Sequence, residues 1–189
     1  MNLIVLDLEW NCPTVGKKSI QGLGGEIIQI GAVKIDENCK VLDSFDACIK
    51  PQRYTKMNKY VEKLTLITDE DLQKGLPIDA VTAGFKAWCG DEFVFLTWGP
   101  DDFRVLEENL TYYELDSDWL PATYDVQLMF DDMEMQEDKQ WPLNYALYHF
   151  EEKPDGAHNA LADSISTVQV LKHLDLADGL SDEYFRCDI

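Results

Sequence analysis

Basic residues are scarce in this chain. Its 189 residues include 16 lysines and arginines against 36 aspartates and glutamates, which gives a formal net charge of -20. Affinity for phosphate backbones normally comes from lysine and arginine, so this balance argues against a protein that holds a long duplex along a groove. It favours a ligand gripped at a few phosphates, with divalent cations supplying part of the missing positive charge.

Long apolar runs and paired cysteines are missing too. No stretch reaches the roughly 20 apolar residues of a membrane span, so we expect no membrane association. The five cysteines, Cys12, Cys39, Cys48, Cys89 and Cys187, form no CxxC pair. This argues against a zinc site and favours reduced thiols in a cytoplasmic protein. No basic and apolar leader precedes the first strand-like run, so we expect no secretory signal.

The order of predicted elements indicates an α/β fold. Apolar patterning predicts strands at 3–8, 26–35, 41–49, 93–97 and 122–126. Helices are predicted at 67–88, divided near Gly75 and Pro77, and at 102–110, 142–150 and 159–174. Short turns join the first three strands, so these should be antiparallel. We expect a mixed five-stranded sheet flanked by helices, in a single domain spanning 1–189.

Two carboxylates lie in the first predicted strand. Asp7 and Glu9 are two positions apart in Ile4-Val5-Leu6-Asp7-Leu8-Glu9-Trp10, so both side chains project from the same face of the strand. Adjacent carboxylates at the end of a buried strand repel each other unless a cation lies between them. An isolated Asp-x-Glu is nevertheless typical of a solvated strand end, and its meaning depends on the other acidic residues nearby.

A second acidic segment follows the fourth predicted strand. It reads Trp98-Gly99-Pro100-Asp101-Asp102 and leads into a predicted helix. Either aspartate could point toward the strand ends. Capping of the helix is the simplest role for an aspartate in this position, so the residues alone do not choose between Asp101 and Asp102.

The third segment pairs a histidine with an aspartate in His158-Asn159-Ala160-Leu161-Ala162-Asp163. Five positions on a regular helix are separated by about 140°, so His158 and Asp163 would not share a helix face. They can meet if His158 lies in a loop before the helix, which Gly156 and a capping Asn159 favour. The histidine would then supply a base that titrates near neutral pH.

Together and in this order, the three segments resemble the DEDDh 3′–5′ exonucleases. These are also called DnaQ-like or RNase T-like and belong to the ribonuclease H-like superfamily. The resemblance covers about residues 1–175 and includes Gln29-Ile30-Gly31-Ala32-Val33 as the family's second strand. The Trp-Gly-x-x-Asp form is similar to the KapD-like branch of small bacterial exonucleases, and its register selects Asp102 over Asp101.

The resemblance implies a catalytic site and a reaction. Its residues would be Asp7, Glu9, Asp102 and Asp163 as ligands of two Mg²⁺ or Mn²⁺ ions, and His158 as general base. In such sites the ions lie roughly 3.5–4 Å apart. The expected activity is hydrolysis of phosphodiester bonds at the 3′ end of single-stranded RNA or DNA, with release of nucleoside 5′-monophosphates. His158 would accept the proton of the attacking water.

Substrate contacts are implied less directly. Expected contacts are Leu8, Trp10, Leu64, Thr65 and Ile67. Trp10 could stack on a base or belong to the core. The segment Leu64-Thr65-Leu66-Ile67-Thr68 is similar to a substrate-contacting Leu-Thr-Gly-Ile-Thr stretch, with Leu66 in place of glycine. The side chain of Leu66 could crowd the terminal nucleotide.

Some alternatives stay open. The main basic cluster, which is either a rim for the incoming strand or a solvated surface, comprises Lys17, Lys18, Arg53, Lys56, Lys59 and Lys63. A non-catalytic binding module on the same fold is the alternative function, and a metal-dependent phosphatase for small nucleotides is a third. The sequence does not decide between RNA and DNA, or whether the chain has a protein partner or forms a homo-oligomer.

Overall fold

A computed structural model describes residues 1–136, 139–154, 159–181 and 183–186. His158, the predicted base, lies outside these residues, as do Gly156 and Cys187.

Within the described residues, six strands form one mixed sheet in the order β3-β2-β1-β4-β5-β6. The strands are β1 (Asn2–Asn11), β2 (Glu26–Ile35), β3 (Val41–Cys48), β4 (Phe93–Thr97), β5 (Thr123–Asp125) and β6 (Phe185–Arg186). The first three are antiparallel neighbours, β4 runs parallel to β1 and β5 parallel to β4. The predicted mixed sheet with three antiparallel strands first is confirmed. The two-residue β6 at the edge is an addition that no sequence pattern indicated.

Helices flank this sheet. In the described part of the chain they are α1 (Lys59–Thr65), α2 (Asp69–Lys74), α3 (Ile78–Cys89), α4 (Asp101–Tyr112), α5 (Val126–Phe130), α6 (Leu143–His149), α7 (Ala160–Leu171) and α8 (Leu176–Gly179), with a π-helical turn at Asp131–Met135. The predicted break near Gly75 and Pro77 separates α2 from α3. The sequence did not indicate α1, because its short run offers too little apolar periodicity. None of the described helices has the length and apolar character needed to cross a membrane.

Side-chain alternation in β1 divides the core between the two faces of the sheet. Leu3 and Val5 join the apolar cluster that includes residues of α7, whereas Ile4 and Leu6 join the cluster that includes residues of α3 and α4. Complete burial of each such aliphatic side chain contributes roughly 1.5–3 kcal/mol. The register of β1 is therefore strongly fixed, and its odd-numbered positions face α7.

Candidate active site

Asp7 and Glu9 meet Asp163 at the α7 face of the sheet. Each of the three carboxylates offers an oxygen that lies within 4.8 Å of those of the other two. Asp7 and Glu9 reach this point because strand alternation sends both toward α7. The pairing of β1 with β2 shifts by one residue between Glu9 and Trp10, just after the acidic pair.

Close packing of α7 on β2 brings Asp163 to the site. Gly31 pairs with Asp7 across the two strands. A Cβ at position 31 would lie 2.0 Å from the backbone N of Leu161, so the lack of a side chain at this position lets the helix touch the strand. The hydroxyl of Ser164 donates to the carbonyl of Gly31 over 2.9 Å, which adds a polar tie between α7 and β2.

The N-terminus of α7 is fixed by two side chains. Asn159 caps the helix, as predicted, by accepting a hydrogen bond from the Ala162 amide. The amide oxygen of Gln29 accepts from the Ala160 amide at 3.3 Å and from the Asn159 side chain at 3.4 Å. Asp163 therefore lies in the first turn of a helix whose start is anchored to the sheet.

Asp102 approaches the cluster from α4. It is buried, with 6% of its surface exposed, and its Oδ1 accepts a hydrogen bond of 2.9 Å from the backbone amide of Leu8. Asp101 instead is exposed and pairs with Arg104 at 2.9 Å. It does not cap α4, which begins after Pro100 without a side-chain cap. Of the two competing aspartates, Asp102 is therefore the one that points inward. It bonds to the backbone of Leu8, the residue between Asp7 and Glu9.

Burial and mutual repulsion raise the pKa values of these carboxyl groups. Desolvation, followed by the nearby Asp163 and Asp102, raises the pKa of Glu9 to about 8. Burial is also the main cause that raises the pKa of Asp102 to about 7. The pKa of Asp7 lies well above its usual value because of burial and the charges of Asp102, Glu9 and Asp163. Without a cation, these four acids resist simultaneous ionisation.

A cleft of about 430 Å³ opens onto the carboxylates. Its lining consists of Asp7, Leu8, Glu9, Trp10, Trp98, Asp101, Asp102, Pro142, Leu143, Asn144, Leu147, Pro154 and Asp163. Trp98 is oriented by a hydrogen bond of 3.0 Å from its indole N–H to the Trp141 carbonyl. The lining thus combines acidic groups with apolar and aromatic side chains from β1, the β4–α4 turn and α6.

The donor set fits hard divalent cations. Carboxylate oxygens are the preferred ligands of Mg²⁺ and Mn²⁺. Such ions would offset the burial and repulsion that raise the pKa values of these carboxyl groups. Asp7, Glu9 and Asp163 provide the closest triad. Asp102 lines the same cleft, with one oxygen engaged by the Leu8 amide.

The predicted substrate contacts fall in two places. Leu8 and Trp10 line the cleft. The ring of Trp10 also packs on Gly25 and on the core, and its stacking on a base stays a prediction. Leu64, Thr65 and Ile67 lie around the α1–α2 turn and are not among the described residues that line the cleft. Their contact with substrate stays a prediction.

Leu66 adopts a backbone conformation that glycine would favour. It caps α1 at its C-terminal end with a φ angle of 61°, in the left-handed region. Its side chain is 76% exposed. The glycine in the similar stretch noted above is therefore explained by backbone geometry at a helix end.

Sequence reasoning did not find part of the cleft. Trp98 carried a signal, since it belongs to the Trp-Gly segment. Leu143, Asn144 and Leu147 from α6 carried none, because their pattern is that of any amphipathic helix. Only the packing of α6 beside α7 brings them to the carboxylates.

Comparison with known proteins identifies the family of this chain. Residues 4–171 match the RNase T family, whose description is exonuclease. The chain belongs to this exonuclease family, and its fold is the ribonuclease H-like fold.

The chain is similar to part of ERI1 exoribonuclease 2 of Xenopus laevis. Identity is 26% over 175 residues, which cover 85% of this chain and 24% of that protein. The chain therefore spans about a quarter of the length of this curated relative.

Solved structures show the same fold at lower identity. The nuclease domain of 3′hExo, a DEDDh family member bound to rAMP, superposes with a TM-score of 0.81 at 18% identity, covering 94% of this chain and 92% of that one. Cell-death related nuclease 4 gives 0.77 at 18% identity, with 92% and 65% covered. E. coli exonuclease I in complex with a dT13 oligonucleotide gives 0.69 at 17% identity, with 91% and 40% covered.

Proposed function

We propose that this chain is a metal-dependent 3′–5′ exonuclease. It hydrolyses the terminal phosphodiester bond of single-stranded RNA or DNA and releases a nucleoside 5′-monophosphate. The observation that carries this proposal is the half-buried cluster of Asp7, Glu9 and Asp163, with Asp102 beside it, in the lining of an open cleft. Membership of the exonuclease family supports the same reaction class.

The four carboxylates would hold two Mg²⁺ or Mn²⁺ ions. When bound, such ions lower the pKa of a coordinated water and stabilise the charge that develops on the attacking and leaving oxygens. The contribution of the protein itself is to position the four carboxylates. The Leu8 amide directs Asp102, the contact of α7 with Gly31 positions Asp163, and strand alternation positions Asp7 with Glu9.

His158 is the proposed general base. The sequence places it directly before Asn159, the N-cap of the helix whose first turn carries Asp163. A histidine has an unperturbed pKa of about 6.5, which suits proton transfer from water near neutral pH.

The substrate class rests on the relatives. One neighbour is bound to rAMP, one recognises a histone mRNA stem-loop, and one is in complex with a dT13 oligonucleotide. In all three the same fold takes a nucleotide or a nucleic acid as its ligand, so we infer a nucleic-acid 3′ end as the substrate of this chain. Leu8 and Trp10 from the cleft wall would contact the terminal nucleotide. We further propose that residues 1–189 act as one exonuclease domain of the KapD-like branch.

Release of mononucleotides tests the proposal. A 5′-labelled single-stranded oligonucleotide should shorten from its 3′ end in Mg²⁺ or Mn²⁺ and stay intact in EDTA. RNA and DNA of one sequence, assayed side by side, would reveal the preferred sugar. The matched variant Asp7→Ala should lose activity by roughly 10³-fold or more, together with Mg²⁺-dependent thermal stabilisation. A wild-type protein that binds the oligonucleotide without cleaving it would support the non-catalytic alternative. Hydrolysis confined to mononucleotide esters would support a phosphatase.

His158→Ala separates the base from the metal ligands. We expect it to lose most turnover, about 100-fold or more, while Mg²⁺ still raises its melting temperature as in the wild type. His149→Ala serves as control, because that histidine packs against Phe130 and Phe150 outside the cleft lining. Undiminished turnover of His158→Ala would remove the base assignment.

A further inference from the structure

A second cavity carries the opposite charge from the acidic cleft. Its volume is about 380 Å³, and its lining is Cys12, Pro13, Thr14, Lys17, Lys18, Ile20, Arg53, Tyr54, Thr55 and Lys56. Four of these ten residues are basic and none is acidic. The chain has 36 acidic and 16 basic residues, and a quarter of the basic residues line this one cavity. We call it the basic cavity.

The cations of the basic cavity are available to a ligand. Lys17, Lys18, Arg53 and Lys56 are all exposed, and within the described part of the chain no ion pair joins any of them to a carboxylate. Lys74, Lys86 and Arg104 elsewhere are each paired with an acid. The arginine also rests against an aromatic ring, with Arg53 Cζ 5.7 Å from the centroid of Tyr112.

Buried polar side chains fix the walls of this cavity. Asn11, fully buried at the end of β1, donates to the carbonyls of Tyr54 at 2.7 Å and Lys56 at 2.9 Å. The Tyr54 hydroxyl accepts from the Ile20 amide at 2.9 Å and donates to the Leu23 carbonyl at 2.7 Å. The loop that carries Lys17 and Lys18 is in this way tied to the loop that carries Arg53 and Lys56.

A buried carboxylate holds the second loop from below. Glu26, 1% exposed, accepts hydrogen bonds from the amides of Gln52, Arg53 and Tyr54 at 2.5 to 3.1 Å. These bonds engage backbone groups, so they leave the guanidinium of Arg53, which lies over the ring of Tyr112, without a carboxylate partner among the ion pairs of the described residues. The cavity therefore has a preformed frame and need not be ordered by its ligand.

The basic cavity and the acidic cleft are lined by residues two positions apart at the end of β1. Trp10 lines the cleft and Cys12 lines the basic cavity. Two residues of extended chain span roughly 7 Å. A strand whose terminal nucleotide lies at Asp7 and Glu9 can thus pass Trp10 and enter the basic cavity.

We propose that the basic cavity binds the phosphates of the substrate strand on the 5′ side of the scissile bond. Lys17, Lys18 and Arg53 contact these phosphates, while the terminal phosphodiester lies at the carboxylates. This inference rests on the proposed exonuclease function for the direction of the strand. It explains how a protein of charge -20 retains a polyanion: the cations are few but concentrated beside the site.

The test compares substrates of different length. In the variant Lys17→Gln/Lys18→Gln, and separately in Arg53→Gln, we expect the ratio of kcat/KM for a decanucleotide to kcat/KM for a dinucleotide to fall by about tenfold at low salt. Binding of a fluorescent decanucleotide, measured by anisotropy in Ca²⁺, should weaken alike. The slope of log K against log salt should become shallower by about 1.4 for the double variant, since each single-strand phosphate contact contributes about 0.7.

Lys40→Gln/Lys172→Gln is the matched control. It removes the same charge from two exposed lysines, one in the turn that follows Ile35 and one at the C-terminal cap of α7. Ile35 pairs with Leu3 and Glu26 with Asn11, so Lys40 lies at the opposite end of β2 from the basic cavity. The control should keep the wild-type length ratio and salt slope.

The outcomes separate the two proposals. An unchanged length ratio and unchanged decanucleotide binding in both cavity variants would overturn the role of the basic cavity while leaving the exonuclease intact. The control weakening as much as the double variant would overturn it too, because net charge would then suffice. A wild type that cleaves nothing would overturn the exonuclease, and anisotropy alone would still decide whether the cavity binds the strand.

Discussion

The acidic cleft and the basic cavity have similar volumes, about 430 and 380 Å³, but they are built in different ways. Carboxylates of the cleft come from β1, α4 and α7, and the Leu8–Asp102 hydrogen bond alone joins residues 94 positions apart. Cations of the basic cavity come from two loops that are pinned to the ends of β1 and β2 by Asn11 and Glu26. One is a product of helix–sheet packing, and the other of two anchored loops.

This difference in construction determines how each cavity should respond to substitution of its charged residues. The cleft gathers like charges that repel, so it depends on rigid elements and on cations that neutralise them. The basic cavity spreads its charges on exposed, flexible side chains over a fixed backbone, so loss of one cation weakens binding without disturbing the fold. Substitutions in the cleft should therefore abolish function, whereas those in the basic cavity should reduce it by degrees.

Among the further substitutions that test this difference, Asp102→Asn is expected to have the largest effect. Asp102→Asn can still accept the hydrogen bond from the Leu8 amide but loses its negative charge, so kcat/KM on an oligonucleotide should fall by roughly 100-fold or more. The adjacent Asp101→Asn, an exposed residue paired with Arg104, is the control and should stay within about twofold. Equal losses in both variants would contradict the choice of Asp102.

A smaller effect concerns the packing that assembles the cleft. In Gly31→Ala the new Cβ would meet the backbone of Leu161 at 2.0 Å and of Ala160 at 2.1 Å, so α7 must shift. The free energy of unfolding in urea should drop by about 1–3 kcal/mol or more, and activity should fall with the displacement of Asp163. The exposed helical Gly84 has no atom within 4 Å of an added Cβ, so Gly84→Ala should instead stabilise by about 0.5–1 kcal/mol. Equal stability of the two variants would show that α7 does not need its close contact with β2.

The smallest expected effect is the pH dependence of the melting temperature in the absence of metal. The pKa of Glu9 is raised from 4.5 to about 8, so the folded state binds more protons than the unfolded state between these pH values. In EDTA the melting temperature should therefore fall as pH rises from about 5 to 8, by roughly 2–4 °C for each kcal/mol of stability lost. Glu9→Gln should flatten this fall in part, because Asp7 and Asp102 also have raised pKa values.

Magnesium provides the converse measurement. Bound cations should restore most of the wild-type melting temperature at pH 8, where the carboxylates are most in need of neutralisation, and should restore less in Glu9→Gln. A wild-type melting temperature in EDTA that rises through this pH window would contradict the repulsion inferred for the cluster.

The features that could be predicted from the sequence are those that depend on local patterns of residues. The period of two in β1 gave the shared face of Asp7 and Glu9, because alternate side chains of a strand project from the same side. The capping role of Asn159 followed from side-chain chemistry that acts within three residues, and it is present. Helix α1 escaped prediction, since seven residues with one apolar position facing the core show no periodicity.

Long-range packing explains what could not be predicted. The sequence offered six cations as one basic cluster, but Lys59 and Lys63 lie on α1 and do not line the basic cavity. The choice between Asp101 and Asp102 needed either a family pattern or the Leu8 amide. Substrate roles of Leu64, Thr65 and Ile67 remain predictions.

By itself the sequence determined the order of the five main strands, the shared face of Asp7 and Glu9, and the acidic, oxygen-only chemistry of the site. These depend on alternation, capping and residue type, which act over a few residues. Only the tertiary structure decided that Asp163 and Asp102 join that pair, that Gly31 makes room for α7, and that four cations from two loops line one cavity. Those results depend on contacts between segments as far as 133 residues apart, as between Ser164 and Gly31, and no local pattern encodes such distances.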